Sequence, residues 1–123
     1  MNVHTTPVKE EMTETLEIID PRATVSEAAA EMQDRDISAL LVTAAAPGLV
    51  TKADVLDAVA AGRDPTETPV EAIMTEPVES VPPDCSLGEA AAMMTTFGVE
   101  HLPVADDDFL GMVSMADITT EIS

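Results

Sequence analysis

Pro7-Val8-Lys9-Glu10-Glu11-Met12-Thr13-Glu14 returns 62 positions later as Pro69-Val70-Glu71-Ala72-Ile73-Met74-Thr75-Glu76. The match stays in step beyond this stretch. Thr24-Val25-Ser26-Glu27-Ala28-Ala29-Ala30 answers Ser86-Leu87-Gly88-Glu89-Ala90-Ala91-Ala92, and Gly48-Leu49-Val50-Thr51-Lys52-Ala53-Asp54 answers Gly111-Met112-Val113-Ser114-Met115-Ala116-Asp117 after a slip of one residue. A repeat of this kind outranks local propensity as a guide to architecture. The two copies span residues 7–61 and 69–123, with 62–68 between them.

Each copy opens on a proline, which the first helical turn tolerates because its N–H groups are spare, so short helical segments are predicted at Pro7–Met12 and Pro69–Met74. Short strands follow at Leu16–Ile19 and Val78–Val81, stopped by Pro21 and by Pro82-Pro83. Thr24 with Glu27, and Ser86 with Glu89, form the S/T-x-x-E pattern of a capping box. Val25, Ala28, Ala29 and Met32 then recur at helical spacing, as do Leu87, Ala90, Ala91 and Met94. Strands are expected at Ile37–Val42 with Leu49–Thr51, and at Val99–Val104 with Leu110–Ser114. Closing helices are expected at Ala53–Ala61 and Ala116–Ile122. The fold class is therefore α+β, with the order β-α-β-β-α in each copy. Gly62–Thr68 reads as an exposed linker, Gly62 being placed to end a helix. Half a core per copy implies that the copies must pack on each other.

Composition narrows the partners. The 123 residues hold 24 Asp plus Glu against 5 Lys plus Arg, a formal net charge of −19. Nucleic acid is an unsuitable partner for such a surface, since affinity for a phosphate backbone comes from Lys and Arg releasing counterions. Disorder is the common reading of high charge, but the periodic apolar content opposes it. Adaptation to a salt-rich cytoplasm fits better, because in molar salt the screening length falls to about 3 Å and self-repulsion is largely removed. Cys85 is the single cysteine, which excludes an intrachain disulfide and a multi-cysteine metal site. The start, Met1–Pro7, carries no apolar signal region, and no run reaches the ~18 apolar residues that span a bilayer. A cytoplasmic location and no membrane partner are expected.

The ordered set Ile73-Met74-Thr75, Pro83-Asp84-Cys85-Ser86-Leu87-Gly88-Glu89-Ala90, Gly98-Val99-Glu100-His101-Leu102-Pro103-Val104 and Gly111-Met112-Val113-Ser114-Met115-Ala116-Asp117-Ile118 resembles the second half of a cystathionine-β-synthase (CBS) domain pair, a Bateman module. The duplication extends that resemblance over residues 7–122. In the first copy Ala39-Leu40-Leu41-Val42 departs from the His-Leu-Pro-Val form of the second. The resemblance implies a pair of three-stranded sheets with helices outside, pseudo-twofold packing of the repeats and dimerisation. It also implies a cleft for an adenosyl ligand such as AMP, ADP, ATP or S-adenosylmethionine, with regulation as the role.

The family's ligand motif, Gly-h-h-Ser/Thr-x-x-Asp with h apolar, falls on Thr51 with Asp54 and on Ser114 with Asp117. A helix N-terminus offers amides to a phosphate, and a carboxylate accepts hydrogen bonds from ribose hydroxyls. Ser/Thr-x-x-Asp is equally a helix cap needing no ligand, and the two roles are compatible. His101 lies beside the cleft in the family pattern, where a phosphate or base is within reach, although a lone strand histidine is commonly structural. Ile18 and Ser80 occupy first-strand positions at which family members lend backbone groups to an adenine edge; packing or solvent exposure explains their side chains as readily. Met93, Met94, Met112 and Met115 fill core gaps left by the scarcity of aromatics. Asp106-Asp107-Asp108 lacks the spacing of a calcium loop and reads as a solvated turn.

Catalytic signatures are missing: the sequence has no Gly-x-Ser-x-Gly elbow, Walker A loop or His-Glu-x-x-His pair. The reading is a non-enzyme that needs no cofactor, a stand-alone sensor of an adenosyl ligand that modulates a partner protein, most simply as a homodimer. The charge favours AMP or cationic S-adenosylmethionine over ATP. The alternative is a ligand-free dimeric interaction scaffold. A DNA-associated regulator would need a basic patch or a fused reader domain.

Overall fold

A computed structural model of the chain describes residues 5–13, 17–76 and 79–122. The elements in chain order are β1 (Ile18–Ile19), α1 (Val25–Arg35), β2 (Ala39–Val42), β3 (Gly48–Thr51), α2 (Lys52–Ala60), α3 (Leu87–Phe97), β4 (His101–Ala105), β5 (Phe109–Ser114) and α4 (Met115–Ile122). Each copy opens on a 3₁₀ turn, Val8–Glu10 or Val70–Ala72, following its proline. The α+β class and the doubled element order hold. Leu16 and Val78, expected at the starts of the first strands, lie outside the described residues.

The chain forms two compact units, and they are not the two sequence copies. One comprises 17–78; the other joins 1–16 to 79–123. The opening strap of each copy thus belongs to the body of the other. In the 17–78 unit the Val70 N–H donates to Ala23 O at 2.8 Å, Glu71 N–H to Pro21 O, and Thr75 exchanges backbone bonds with Leu49. In the second unit the Val8 N–H donates to Cys85 O at 2.7 Å, Lys9 N–H to Pro83 O, and Thr13 exchanges backbone bonds with Met112. The receivers are repeat equivalents of one another. Accordingly each core takes a valine from the opposite copy, both fully buried: Val70 joins Ile19, Ala28, Met32, Leu40, Val42 and Val50, while Val8 joins Val81, Leu87, Ala90, Met94, Leu102 and Val113.

Close approach of the straps explains the hairpin glycines. A Cβ on Gly48 would overlap the Met74 sulfur, and one on Gly111 would overlap the carbonyl oxygen of Thr13. At Gly111 only glycine admits the strap backbone at that distance.

In the 17–78 unit the sheet order is β1-β2-β3, β1 running parallel and β3 antiparallel to β2. The second unit pairs β4 with β5, and among the described residues its first-strand equivalent is a parallel bridge between Val81 and Val104, so the described three-stranded sheet is that of the 17–78 unit. The one-residue slip of the repeat is absorbed here. Val104 pairs with Gly111 and Ala105 with Phe109, which leaves Leu110 as the extra residue of a β-bulge.

Strands β2 and β4 start two residues later than expected because Ile37 and Val99 finish the preceding helices. Their N–H groups donate to Met32 O at 3.0 Å and Met94 O at 2.9 Å, across left-handed Asp36 and Gly98. This is the Schellman helix end, with an apolar residue folded back on the helix. At the other end Thr24 and Glu27 form the complete capping box, whereas in the second copy Ser86 Oγ accepts the Glu89 N–H and donates to Glu89 Oε1. The linker is less free than expected: Thr68 O and Pro65 O accept the Val25 and Ser26 N–H groups, tying it to the start of α1. Its side chains remain mostly exposed, and Gly62 takes a left-handed φ of 84° after α2. Cys85 is buried, and burial, reinforced by the Glu89 carboxylate, pushes its thiol up, so it serves as a small apolar residue.

Candidate functional site

Strand alternation sorts each sheet into two faces. Leu40, Val42 and Val50 point into the core with Ile19, so Ile18, Ala39, Leu41, Leu49 and Thr51 share the opposite face. Likewise Leu102, Val104 and Val113 are core residues, so His101, Pro103, Met112 and Ser114 share the opposite face, with Ser80 one residue ahead of the bridging Val81. Every strand residue of the expected site therefore lies on the face turned away from its own unit's core.

At the end of that face β3 runs directly into α2. Thr51 is the N-cap: its Oγ1 accepts the Asp54 N–H at 3.2 Å, and Asp54 Oδ2 accepts the Thr51 N–H at 2.9 Å and its hydroxyl at 3.0 Å. Ser114 and Asp117 repeat the arrangement at α4, with 3.1 Å and 3.0 Å for the reciprocal backbone bonds. The capping role of both pairs is thus realised. In each box only Oδ2 of the aspartate is engaged, so the second oxygen of a half-buried carboxylate takes no part in capping. The first amides of the helices are also committed, Lys52 N–H to Ser38 O at 3.1 Å and Met115 N–H to Glu100 O at 2.8 Å. With the first and third amides in use, the helix ends have little left for a phosphate. The carboxylates have more capacity for a hydroxyl donor.

Register distinguishes the two sets. His101 stands directly opposite Ser114 on β4 and β5, bringing His101, Ser114 and Asp117 to one corner of the second unit. Its counterpart opposite Thr51 is Ala39. Ile18 pairs with Leu41, two strand positions from the Ala39–Thr51 row, and is 60% exposed. Ser80 is exposed. The structure joins Thr51 with Asp54, and Ser114 with Asp117 and His101; Ile18 lies farther along the sheet, and Ser80 precedes the bridging Val81 outside any strand. What the sequence reading lacked was the commitment of the leading amides, although the strand-to-helix junctions in both copies already carried the signal.

Among the described residues no cluster of His, Cys, Asp or Glu is arranged to hold a metal. Asp106 Oδ1 accepts the Asp108 N–H at 3.2 Å, making the triple aspartate a self-bonded hairpin turn. No described helix is long and apolar enough to cross a membrane.

A model of the CBS domain matches twice, over residues 8–61 and 70–123. The chain belongs to the CBS-domain family. Its two copies form a CBS pair, a regulatory type of module. The CBS domain-containing protein YhcV of Bacillus subtilis is 31% identical over 90% of this chain and 81% of its own length. A protein with CBS domains from Burkholderia ambifaria is 33% identical, with a TM-score of 0.82 over 89% of this chain and 83% of that one. The CBS domain pair of MJ0100, in complex with 5′-methylthioadenosine and S-adenosyl-L-methionine, shares the fold at 23% identity, with a TM-score of 0.85 over 96% of each chain.

Proposed function

We propose that this CBS pair senses an adenosyl ligand and regulates a partner protein without catalysis of its own. The observation that carries this is the second carboxylate oxygen of Asp54 and of Asp117, half-buried at the sheet end and outside the capping bonds. Such an oxygen accepts a hydrogen bond from a ribose hydroxyl. Thr51 and Ser114 hold the carboxylates in place, and backbone groups near Ile18 and Ser80 meet the adenine edge. His101 adds a donor in the second unit. The adenosyl compounds bound by MJ0100 on the same fold support the ligand class. Committed helix amides and a net charge of −19 favour S-adenosylmethionine, 5′-methylthioadenosine or AMP over ATP. Signalling then requires the ligand to prefer one conformation of the pair.

The test is calorimetric titration in molar KCl with AMP, ATP, S-adenosylmethionine and 5′-methylthioadenosine, on the parent and on Asp54→Asn and Asp117→Asn. Saturable binding lost in one variant, with its melting curve retained, identifies the working carboxylate. Absence of heat and of thermal shift with all four ligands sinks the sensor reading. The scaffold reading would then replace it, supported by Leu56 and Val59, which are 69% and 51% exposed on α2 and offer an apolar stripe to a homodimer contact.

A further inference from the structure

The first strands of the two repeats occupy equivalent positions and are held differently. In the 17–78 unit the Leu41 N–H donates to Glu17 O at 3.0 Å, the Thr43 N–H to Ile19 O at 3.1 Å, and the Thr43 hydroxyl to the same Ile19 carbonyl at 3.3 Å. With Glu17 and Ile19 turned to β2, alternation turns the N–H and C=O of Ile18 to the side of β1 away from β2. A side chain adds to this hold. Arg35, the last residue of α1, places Nη1 2.5 Å from Glu17 Oε2 and Nε 2.7 Å from Glu31 Oε2, so one guanidinium ties the residue before Ile18 to the helix. The second unit keeps the bridge itself: the Val81 N–H donates to Pro103 O at 3.0 Å and the Ala105 N–H to Val81 O at 2.9 Å. Its other tethers change. Pro103 stands where the first copy has Leu41 and has no N–H to give the Glu79 carbonyl. Ala105 replaces Thr43 and brings no hydroxyl, while Phe97 and Met93 replace Arg35 and Glu31 and bring no charge.

We infer that Arg35 is a positioning residue for the adenosyl ligand: through Glu17 it fixes the Ile18 backbone and makes the Thr51–Asp54 site of the 17–78 unit the tighter of the two. The inference rests on the sensor reading above. Its physical basis is preorganisation, since Ile18 and Thr51 share one sheet face and a strand edge already held in place loses little freedom when a ligand bonds to it. Glu79 and Ser80 precede the Val81 bridge without the ladder bond, the hydroxyl and the ion pair that their counterparts have, so a ligand meeting them must supply more of the ordering itself. Similar contacts in the two copies then give unequal affinities.

The test extends the titration with AMP, ATP, S-adenosylmethionine and 5′-methylthioadenosine to Arg35→Gln, Arg35→Lys and Glu17→Gln, with Asp54→Asn and Asp117→Asn assigning each binding step to its carboxylate. The expected parent result is a tighter step, lost in Asp54→Asn, separated several-fold from any weaker one. Arg35→Gln and Glu17→Gln break the same pair from opposite sides and should each weaken the tighter step about three- to fivefold, leaving the weaker step as it is. Arg35→Lys keeps the charge and should recover most of the affinity, a rescue that melting temperature alone would not report. The converse variant, Phe97→Arg with Pro103→Leu, supplies the second copy with the absent ion pair and ladder donor and should tighten its step several-fold. Two equal steps, a tighter step lost in Asp117→Asn, or parent affinity in Arg35→Gln would each overturn this inference and leave the sensor reading standing. Absence of binding by the parent with all four ligands overturns both.

Discussion

At single residues, the repeat provides internal controls. Gly48 and Gly111 are equivalent, yet a side chain would meet different obstacles: the flexible end of Met74 at Gly48, and the backbone of Thr13 at Gly111. A thioether can swing aside, while a strap carbonyl cannot move without giving up its bond to Met112. Gly111→Ala should therefore destabilise by about 3 kcal/mol and Gly48→Ala by about 1 kcal/mol, as read from chemical denaturation of both variants. Equal losses would show that both straps yield alike. Asp36 supplies the opposite case. It holds φ 53° at a helix end where the second copy has Gly98, and its carboxylate sits at the negative end of the α1 dipole. Asp36→Gly relieves both penalties and should stabilise by about 1 kcal/mol; Gly98→Asp should lose a similar amount. A lower melting temperature for Asp36→Gly would mean that the flexibility added to the unfolded chain outweighs them.

Among the elements, the straps carry the most information. Each inserts one fully buried valine into the core of the unit it docks on, so Val8→Ala and Val70→Ala should each cost about 2 kcal/mol through lost burial and the cavity left behind. Hydrogen exchange locates the damage. Val8→Ala should speed exchange at Leu87 and Met112, and Val70→Ala at Val25 and Leu49, because those amides donate to the respective straps; faster exchange at Leu49 in Val8→Ala would contradict the observed partnership. This pairing marks where the sequence stops being legible. Proline starts, capping boxes, helix faces and strand order follow from local periodicity, and the elements appear in the expected order. Which body a strap docks on does not follow, because a repeat presents the same valine, methionine and glycine receivers in both copies. Strand starts moved because Ile37 and Val99 spend their amides on helix ends, a bond that the apolar run conceals. At the candidate site, the Thr51–Asp54 and Ser114–Asp117 pairs were legible as caps, and the same spacing is the one that the proposed ligand contact uses.

For the whole molecule, charge is the dominant quantity. The described ion pairs include Lys9 with Asp84 and Arg35 with Glu17 and Glu31, and 5 Lys plus Arg are too few to offset the repulsion among 24 Asp plus Glu. Exposed pairs of this kind contribute at most about 1 kcal/mol each, too little to balance a charge of −19. The folded chain concentrates those charges more than the unfolded chain does, and salt relieves the difference, the screening length falling from about 10 Å at 0.1 M to about 3 Å at 1 M. Stability should thus rise by about 2 kcal/mol between 0.1 and 2 M KCl, roughly 10 °C in melting temperature. Salt also strengthens apolar burial, so a neutralised variant separates the causes. Glu10→Gln, Asp34→Asn, Asp57→Asn, Glu67→Gln, Glu71→Gln and Asp107→Asn together remove six exposed charges without touching a cap. If repulsion governs, this variant melts higher than the parent at 0.1 M KCl and the two curves converge at 2 M. Parallel curves at all salt concentrations would assign the gain to apolar burial and not to relief of charge repulsion.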